Sequence, residues 1–153
     1  MCIRDRAGAL RAAVTPIDDD PLPGGYEGTV IQVQSPSVRV RAGTAIRIDA
    51  MVRTLGFGGP HQGVLVYDTM GGQEAGVLVR GTSNWTPVRL YRQTVTETEV
   101  HVMFELIGAG EATIDNVQLS LWEPEERMRP TPNFIPMAKT PVSEKDEEQS
   151  TNR

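Results

Sequence analysis

The sequence of 153 residues is poor in cysteine, and it lacks both a basic charge excess and a long apolar run. Cys2 is the only cysteine, which excludes an intrachain disulfide and a zinc site built on several cysteines. The net charge is −5, from 15 Lys+Arg and 20 Asp+Glu, and this argues against a nucleic-acid partner because phosphate contacts need a positive surface. No apolar run reaches the roughly 18 residues of a membrane-spanning helix, so we expect no membrane insertion.

The basic residues are almost all arginine, since Lys139 and Lys145 are the only lysines. Surface arginine usually needs no special explanation. Its planar guanidinium nevertheless pairs with anions in two-pronged geometry better than lysine does. The sequence therefore leaves an anionic ligand as an open alternative.

Composition divides the chain into four parts. Residues 1–6 look like a translated sequencing adapter, and we expect them to be a non-native scar. The remaining sequence is then expected to be part of a larger multidomain chain. Residues 7–27 are expected to be the incomplete N-terminal part of the domain and a breaker-rich loop, and residues 28–122 its β-sandwich. Residues 123–153 are Pro-rich and then acidic, which predicts a disordered tail.

Apolar residues recur at every second position through the middle of the chain. Ile46, Ile48, Ala50 and Val52 form one such series, and the segments 64–67, 88–91 and 100–107 show the same period. A period of two places alternate side chains on opposite faces of a strand, whereas a helix needs spacings of three and four. Shorter runs predict further strands at 30–33, 38–41 and 77–80.

Turn-forming residues separate these predicted strands, as in Gly56–Gly63 and Gly108–Gly110. The connections are too short for helical crossovers, so the pairing is expected to be mostly antiparallel. The pattern predicts an all-β fold, either a sandwich or a barrel.

The last predicted strand changes phase in its middle. Ala112 and Ile114 share one phase, and Val117, Leu119 and Leu121 share the other. A β-bulge at Asp115-Asn116 would return all of these apolar side chains to the inner face.

Residues 83–121 also resemble a known pattern. Trp85 opens a strand, a second alternating strand follows at Val100–Leu106, and a glycine turn leads to Ala112-Thr113-Ile114-Asp115-Asn116-Val117-Gln118-Leu119. This order resembles carbohydrate-binding modules of the family 4/9 type and related galactose-binding-like jelly rolls. The resemblance is weaker over 28–82. It implies an antiparallel two-sheet jelly roll, attached to a secreted or cell-surface protein, that binds glycans without cleaving them.

The same resemblance implies a structural calcium ion, commonly held in part by the aspartate of the closing motif, here Asp115. Calcium takes about six to eight oxygen ligands, so one carboxylate is not enough. The strand that normally supplies the other ligands is missing from the pattern, and Glu27 is a weak substitute. Either the site is absent or its first strand lies in missing upstream sequence, and we favour the second alternative.

Two tryptophans allow two interpretations. In the resembling modules the tryptophan at the position of Trp85 is more often a core residue, although a flat aromatic ring also suits stacking on a sugar. Trp122 ends the last predicted strand and is expected to cover the edge of the core.

A further set of apolar residues lies out of phase with the predicted core, namely Met51, Leu65, Tyr67, Tyr91 and Met103. This face forms a ligand groove, or is covered by strands absent from the chain, or is scattered exposed surface. In a groove, the tyrosines would stack on sugar rings, and Arg89 and Glu105 would bond their hydroxyls. His101 is a weaker candidate, since no second metal ligand accompanies it.

The catalytic signals are weak. The nucleophile-elbow pattern Gly-x-Ser-x-Gly does not occur, and Gly56-Phe57-Gly58-Gly59 lacks the Lys-Ser/Thr of a phosphate loop. Asp68 and Glu105 could form a glycosidase pair, but any sandwich offers pairs of carboxylates. We therefore expect a non-catalytic carbohydrate-binding module with a polysaccharide or glycan as ligand. The alternative is a structural or protein-interaction sandwich, and a hydrolase ranks last.

Overall fold

The structure is a computed structural model that describes residues 9–15 and 28–123. In this part of the chain the strands, in order, are β1 Leu10–Val14, β2 Thr29–Gln34, β3 Val38–Val40, β4 Ala45–Leu55, β5 Gly63–Asp68, β6 Val77–Arg80, β7 Ser83–Gln93, β8 Thr98–Val100, β9 Val102–Ile107 and β10 Gly110–Leu121. A short 3₁₀ turn, Gln73–Ala75, lies between β5 and β6. The predicted scar and nearly all of the predicted tail lie outside the described residues.

The strands form two four-stranded sheets and one small pair. The first sheet has the order β1-β10-β4-β7, the second sheet has the order β2-β9-β5-β6, and β3 pairs with β8. Every pair of neighbouring strands is antiparallel. The predicted antiparallel β-sandwich is therefore confirmed.

The core lies between the inner faces of the two sheets. On β4 the even-numbered residues from Ile46 to Thr54 are buried, and the odd-numbered residues point outward. They pack with Val64 and Val66 of β5 and with Phe104 and Leu106 of β9. Burying each large aliphatic side chain contributes about 1.5–3 kcal/mol, so this alternation is the main source of stability.

The predicted bulge in β10 is confirmed. The register steps from Asp115↔Met51 to Gln118↔Asp49, so three steps along β10 match two along β4. Asn116 takes the left-handed conformation, with φ of 52°, which asparagine tolerates better than most residues. As a result, Ile114 and Val117 are both buried although an odd number of positions separates them.

Two features of the strands differ from the prediction. The expected continuous strand at 100–107 is divided at His101, whose backbone N–H donates to Thr69 Oγ1 at 3.1 Å instead of to a neighbouring strand. β1 was not predicted as a strand because Arg11 and two alanines separate Leu10 from Val14 and give little alternation, yet it pairs with β10 from Leu10↔Ile114 to Val14↔Gly110. Long-range pairing therefore completes a strand whose local pattern is weak.

Gly63, at the start of β5, permits a close approach of two strands. Its φ is 153°, and a Cβ at this position would lie 2.1 Å from the carbonyl oxygen of Val79 on β6. No side chain fits there without moving the backbone, so glycine is required by the packing of β5 against β6.

Candidate functional site

Four polar side chains meet on the outer face of the second sheet. Glu105 on β9 points outward because its neighbours Phe104 and Leu106 point into the core. Gln32 on β2 lies directly opposite Glu105 in the register, and Tyr67 reaches it from β5 on the other side. The fourth side chain, Gln73, comes from the 3₁₀ turn. We call these four residues the polar cluster.

Glu105 accepts a hydrogen bond from each of the other three residues. Tyr67 Oη donates to Glu105 Oε1 at 2.6 Å, and Gln32 Nε2 donates to the same oxygen at 2.8 Å. Gln73 Nε2 lies 3.1 Å from Oε1 and 2.9 Å from Oε2. Gln32 Nε2 also lies 3.1 Å from Tyr67 Oη, so the cluster is a connected network. Glu105 is only 3% exposed, and these bonds offset the cost of burying its carboxylate.

The hydrogen bond to Glu105 is the main reason that the pKa of Tyr67 is raised above its usual value of 10.0, and burial adds to this effect. The bond from Gln32 acts in the opposite direction. A raised pKa keeps the phenol protonated at neutral pH, so Tyr67 is the donor in its bond to Glu105.

The turn that carries Gln73 is fixed by Asp68 and Arg92. Asp68 is fully buried, and its Oδ1 accepts the N–H groups of Met70 and Gly71, each at 3.0 Å. Its Oδ2 lies 2.7 Å from Arg92 Nε, and Arg92 Nη2 donates to the carbonyl oxygen of Ala75 at 2.9 Å. A Cβ on Gly71 would lie 2.5 Å from Arg92 Nη2, so a glycine allows the guanidinium to lie this close to the loop.

The candidate residues predicted from the sequence divide between two opposite faces. Tyr67 and Glu105 belong to the second sheet, whereas Arg89 and Tyr91 lie on β7 of the first sheet. The alternative of one groove holding all of them is therefore excluded, because the out-of-phase positions of the two sheets point away from each other. Met103 and Tyr67 are also each only 8% exposed, and this part of the face is largely covered.

On the first sheet, Arg89 is part of a charged triad. Arg89 Nε donates to Asp49 Oδ1 and Arg47 Nε donates to Asp49 Oδ2, both at 2.7 Å. Burial favours a higher pKa for Asp49, but the bonds from the two arginines outweigh it and hold the pKa below its usual range. Asp49 is therefore ionised at neutral pH.

The core interpretation of Trp85 was wrong, whereas the expectation that Trp122 covers the edge of the core stays a prediction. Trp85 is 43% exposed, because it shares the outward phase of β7 with Arg89 and Tyr91. Trp122 is 37% exposed and contacts the ring of Tyr91, with 4.7 Å between ring centroids and planes tilted by 54°. Packing of Trp122 on the outward Tyr91 places both rings on the outer face of the first sheet.

His101 lies between β8 and β9, beside the end of β2. Its Nδ1 lies 2.7 Å from Gln34 Nε2 and 3.0 Å from the carbonyl oxygen of Ser35. These contacts tie the end of β2 to the β8–β9 junction. The structure thus gives His101 a structural position, and its role as a ligand contact stays a prediction.

Asp115 lies in the bulge of β10, where its Oδ1 accepts the N–H of Asn116 at 2.6 Å. Across residues 9–15 and 28–123, no three His, Cys, Asp or Glu side chains come close enough to share a metal ion. Glu27 lies outside the described residues. Among the described residues, Asp115 is therefore not part of a carboxylate cluster that could hold calcium, and its role as a calcium ligand stays a prediction.

The carboxylate pair Asp68 and Glu105 does not form a shared cleft. Asp68 has the inward phase of β5, together with Val64 and Val66, whereas Glu105 has the outward phase of β9. Asp68 is also held by Arg92 and by two backbone N–H groups. This arrangement is that of a structural ion pair and gives no support to a glycosidase mechanism.

Two members of the polar cluster were missed by the sequence analysis. Gln32 lies at an outward position of a short predicted strand, and that phase was the only available signal. Gln73 lies in a loop without periodicity, and nothing in the sequence indicates that its amide reaches a carboxylate 32 positions away.

The fold has a solved counterpart. A structure described as "CBM4 structure and function" matches with a TM-score of 0.53 over 77% of this chain and 74% of that chain, at 17% sequence identity. The jelly-roll architecture expected from the resemblance to carbohydrate-binding modules of the family 4/9 type is therefore confirmed. No protein-family model and no curated protein matches the sequence. Within the described part of the chain, no helix has the length and apolarity needed to span a membrane.

Proposed function

We propose that the protein is a non-catalytic carbohydrate-binding module, and that the polar cluster is the centre of its ligand surface. The observation that carries this proposal is the hydrogen-bonded network in which Tyr67, Gln32 and Gln73 surround the buried Glu105, on the outer face of one sheet of a jelly roll. The likeness in fold to a family 4 module supports the class of ligand.

Glu105 acts in this proposal as a positioning residue. A carboxylate offers about four lone-pair sites, and Tyr67, Gln32 and Gln73 already direct four contacts to its two oxygens. Its function is to fix the orientation of those three side chains. Preorganisation of this kind lowers the entropy cost of binding a hydroxyl-rich ligand.

The ligand contacts come from the two amides. Both Nε2 atoms are committed to the cluster, and the Oε1 atoms of Gln32 and Gln73 have no hydrogen-bond partner among the described residues. Gln32 is exposed, so its carbonyl oxygen can accept a hydrogen bond from a sugar hydroxyl. These acceptor oxygens lie beside the negative charge of the buried Glu105, which repels acidic groups. The surface therefore favours a neutral glycan over an acidic one.

Affinity electrophoresis of the full chain through gels with soluble neutral glucan, xylan or mannan tests the proposal. We expect at least one polymer to retard the protein, and Gln32→Ala to weaken that binding about tenfold, the effect of losing one central contact. Gln93→Ala is the matched control, since Gln93 is an exposed glutamine at the end of β7 in the other sheet. Binding to none of the polymers, or equal weakening by both variants, contradicts the proposal.

We further propose that the domain works outside the cell or at the cell surface, attached to other domains, and that it leaves its ligand intact. The polymer that retards the protein should therefore show no new reducing ends after incubation with it. Release of products that is lost in Glu105→Gln would instead identify a hydrolase.

A further inference from the structure

The outer face of the first sheet carries a second set of exposed groups that the polar cluster does not use. Trp85 and Tyr91 lie on the outward phase of β7, and Trp122 lies against Tyr91. Arg89 of β7 and Arg47 of β4 lie beside these rings, joined through Asp49. We call these six residues the aromatic strip.

Aromatic rings lie at both ends of this strip. Trp85 and Tyr91 are six residues apart on one strand, a separation of about 20 Å at roughly 3.3 Å per residue. Trp85 and Tyr91 are each 43% exposed, and Trp122 is 37% exposed. Rings left in water at this level, along a line, are typical of a contact surface.

The strip carries positive charge in a chain whose net charge is −5. Within the strip, Arg47 and Arg89 lie against Asp49 alone, an excess of one positive charge, and Arg53 at another outward position of β4 is balanced by the outward Asp115 of β10. The nearby Glu111 of β10 is itself paired with Arg11, with contacts of 2.8 and 2.7 Å. An anionic ligand is therefore the one that this face complements.

Asp49 fixes the orientation of Arg47 and Arg89 before such a ligand binds. Asp49 accepts the Nε–H of Arg47 and of Arg89, and the guanidinium of Arg89 also interacts with the Tyr91 side chain. The carboxylate limits the rotation of both side chains, and because a guanidinium has five N–H donors, each arginine keeps terminal N–H groups for another acceptor. Planar guanidinium groups bind carboxylates and sulfates in two-pronged geometry.

From the spacing of the rings and the charge between them, we infer that the aromatic strip is a second binding surface, for an anionic polysaccharide lying along β7. The sugar rings pack on Trp85 and on the Tyr91–Trp122 pair, and the acidic groups bind Arg47 and Arg89. This surface lies on the opposite sheet from the polar cluster and takes a ligand of different charge.

The test is affinity electrophoresis of the full chain in gels containing polygalacturonate, which bears carboxylates, or dextran sulfate, which bears sulfates. We expect at least one of them to retard the protein, and the comparison of the two identifies the acidic group. Trp85→Ala and Tyr91→Ala should each weaken this binding about tenfold. Raising the salt concentration should weaken it further, because the arginines are exposed.

Matched variants separate this site from general charge attraction. Arg89→Gln should weaken binding, whereas Arg39→Gln, which removes another surface arginine paired with a single carboxylate, should not. Equal losses in both variants would show non-specific attraction and overturn the inference, as would retardation by neither acidic polymer. Self-association of the chain that is abolished by Trp85→Ala would also overturn it, by assigning the strip to a second copy.

The neutral-glycan site and the aromatic strip can each be refuted without refuting the other. Gln32→Ala should leave binding of the acidic polymer unchanged, while Trp85→Ala should leave binding of the neutral polymer unchanged. If Gln32→Ala abolishes both, a single surface exists and the aromatic strip is not a site. If only the acidic polymer binds, the proposed neutral-glycan function fails and the strip remains.

Discussion

Replacing Tyr67 by phenylalanine removes one oxygen from the polar cluster and leaves the ring in place. The lost atom donates a 2.6 Å hydrogen bond to Glu105, whose carboxylate is 3% exposed. A hydrogen bond to a charged group contributes about 1.5–3 kcal/mol to stability. Because Gln32 and Gln73 still contact Glu105, we expect a loss of about 2 kcal/mol, the lower part of that range.

Thermal and urea unfolding of the full chain measure this loss. In a domain of this size it corresponds to a decrease in Tm of about 10 °C. Tyr91→Phe is the matched control, because Tyr91 is 43% exposed and its hydroxyl is not bonded to a buried carboxylate. A surface change of this kind is expected to stay within about 0.5 kcal/mol.

The pH dependence tests the cause of the effect. The bond to Glu105 raises the pKa of Tyr67 in the folded protein above the value in the unfolded chain. The stabilisation is therefore fully present below the unfolded pKa, near 10.0, and is lost as the pH rises through the higher folded pKa. A Tyr67→Phe variant as stable as Tyr91→Phe, or a difference between them that grows above pH 10, would refute the reasoning.

Three further substitutions test the framework that supports the site, each by urea unfolding. Gly63→Ala places a Cβ 2.1 Å from the carbonyl oxygen of Val79 and should cost more than about 2 kcal/mol; normal stability would contradict the close approach of β5 and β6. Arg92→Leu leaves the fully buried Asp68 without its cation and should cost about 3 kcal/mol, and a neutral effect would show that the pair is dispensable. Asn116→Gly should be nearly neutral whereas Asn116→Val should cost about 1–2 kcal/mol, because φ is 52° there; equal effects would argue against the bulge.

Much of the fold could be predicted because its signals are local. Alternation with a period of two is visible in any short segment, and it identified the main strands and their inward residues, as on β4. The phase change at Asp115-Asn116 likewise predicted the bulge that the register shows. β1 escaped prediction because its five residues have little pattern, and its pairing with β10 depends on residues about a hundred positions away.

The candidate site was predictable only in part. Glu105 and Tyr67 were found from their outward phase and chemistry, and the structure brings them together. Gln32 was passed over because a neutral amide on a strand has no distinguishing signal, and Gln73 because loops carry no periodicity. Trp85 was expected in the core because large aromatic residues usually supply packing area, but its phase on β7 directs it outward.

Periodicity and turn chemistry alone determined that this chain forms antiparallel strands and which side chains of a strand such as β4 face the core. Tertiary structure decided which sheet each strand joins, and thereby placed Tyr67 and Tyr91 on opposite faces of the sandwich. The physical reason is that alternation depends only on backbone geometry within a strand. Sheet membership depends on hydrogen bonds and packing between segments that are far apart in the chain, and no local pattern records those partners.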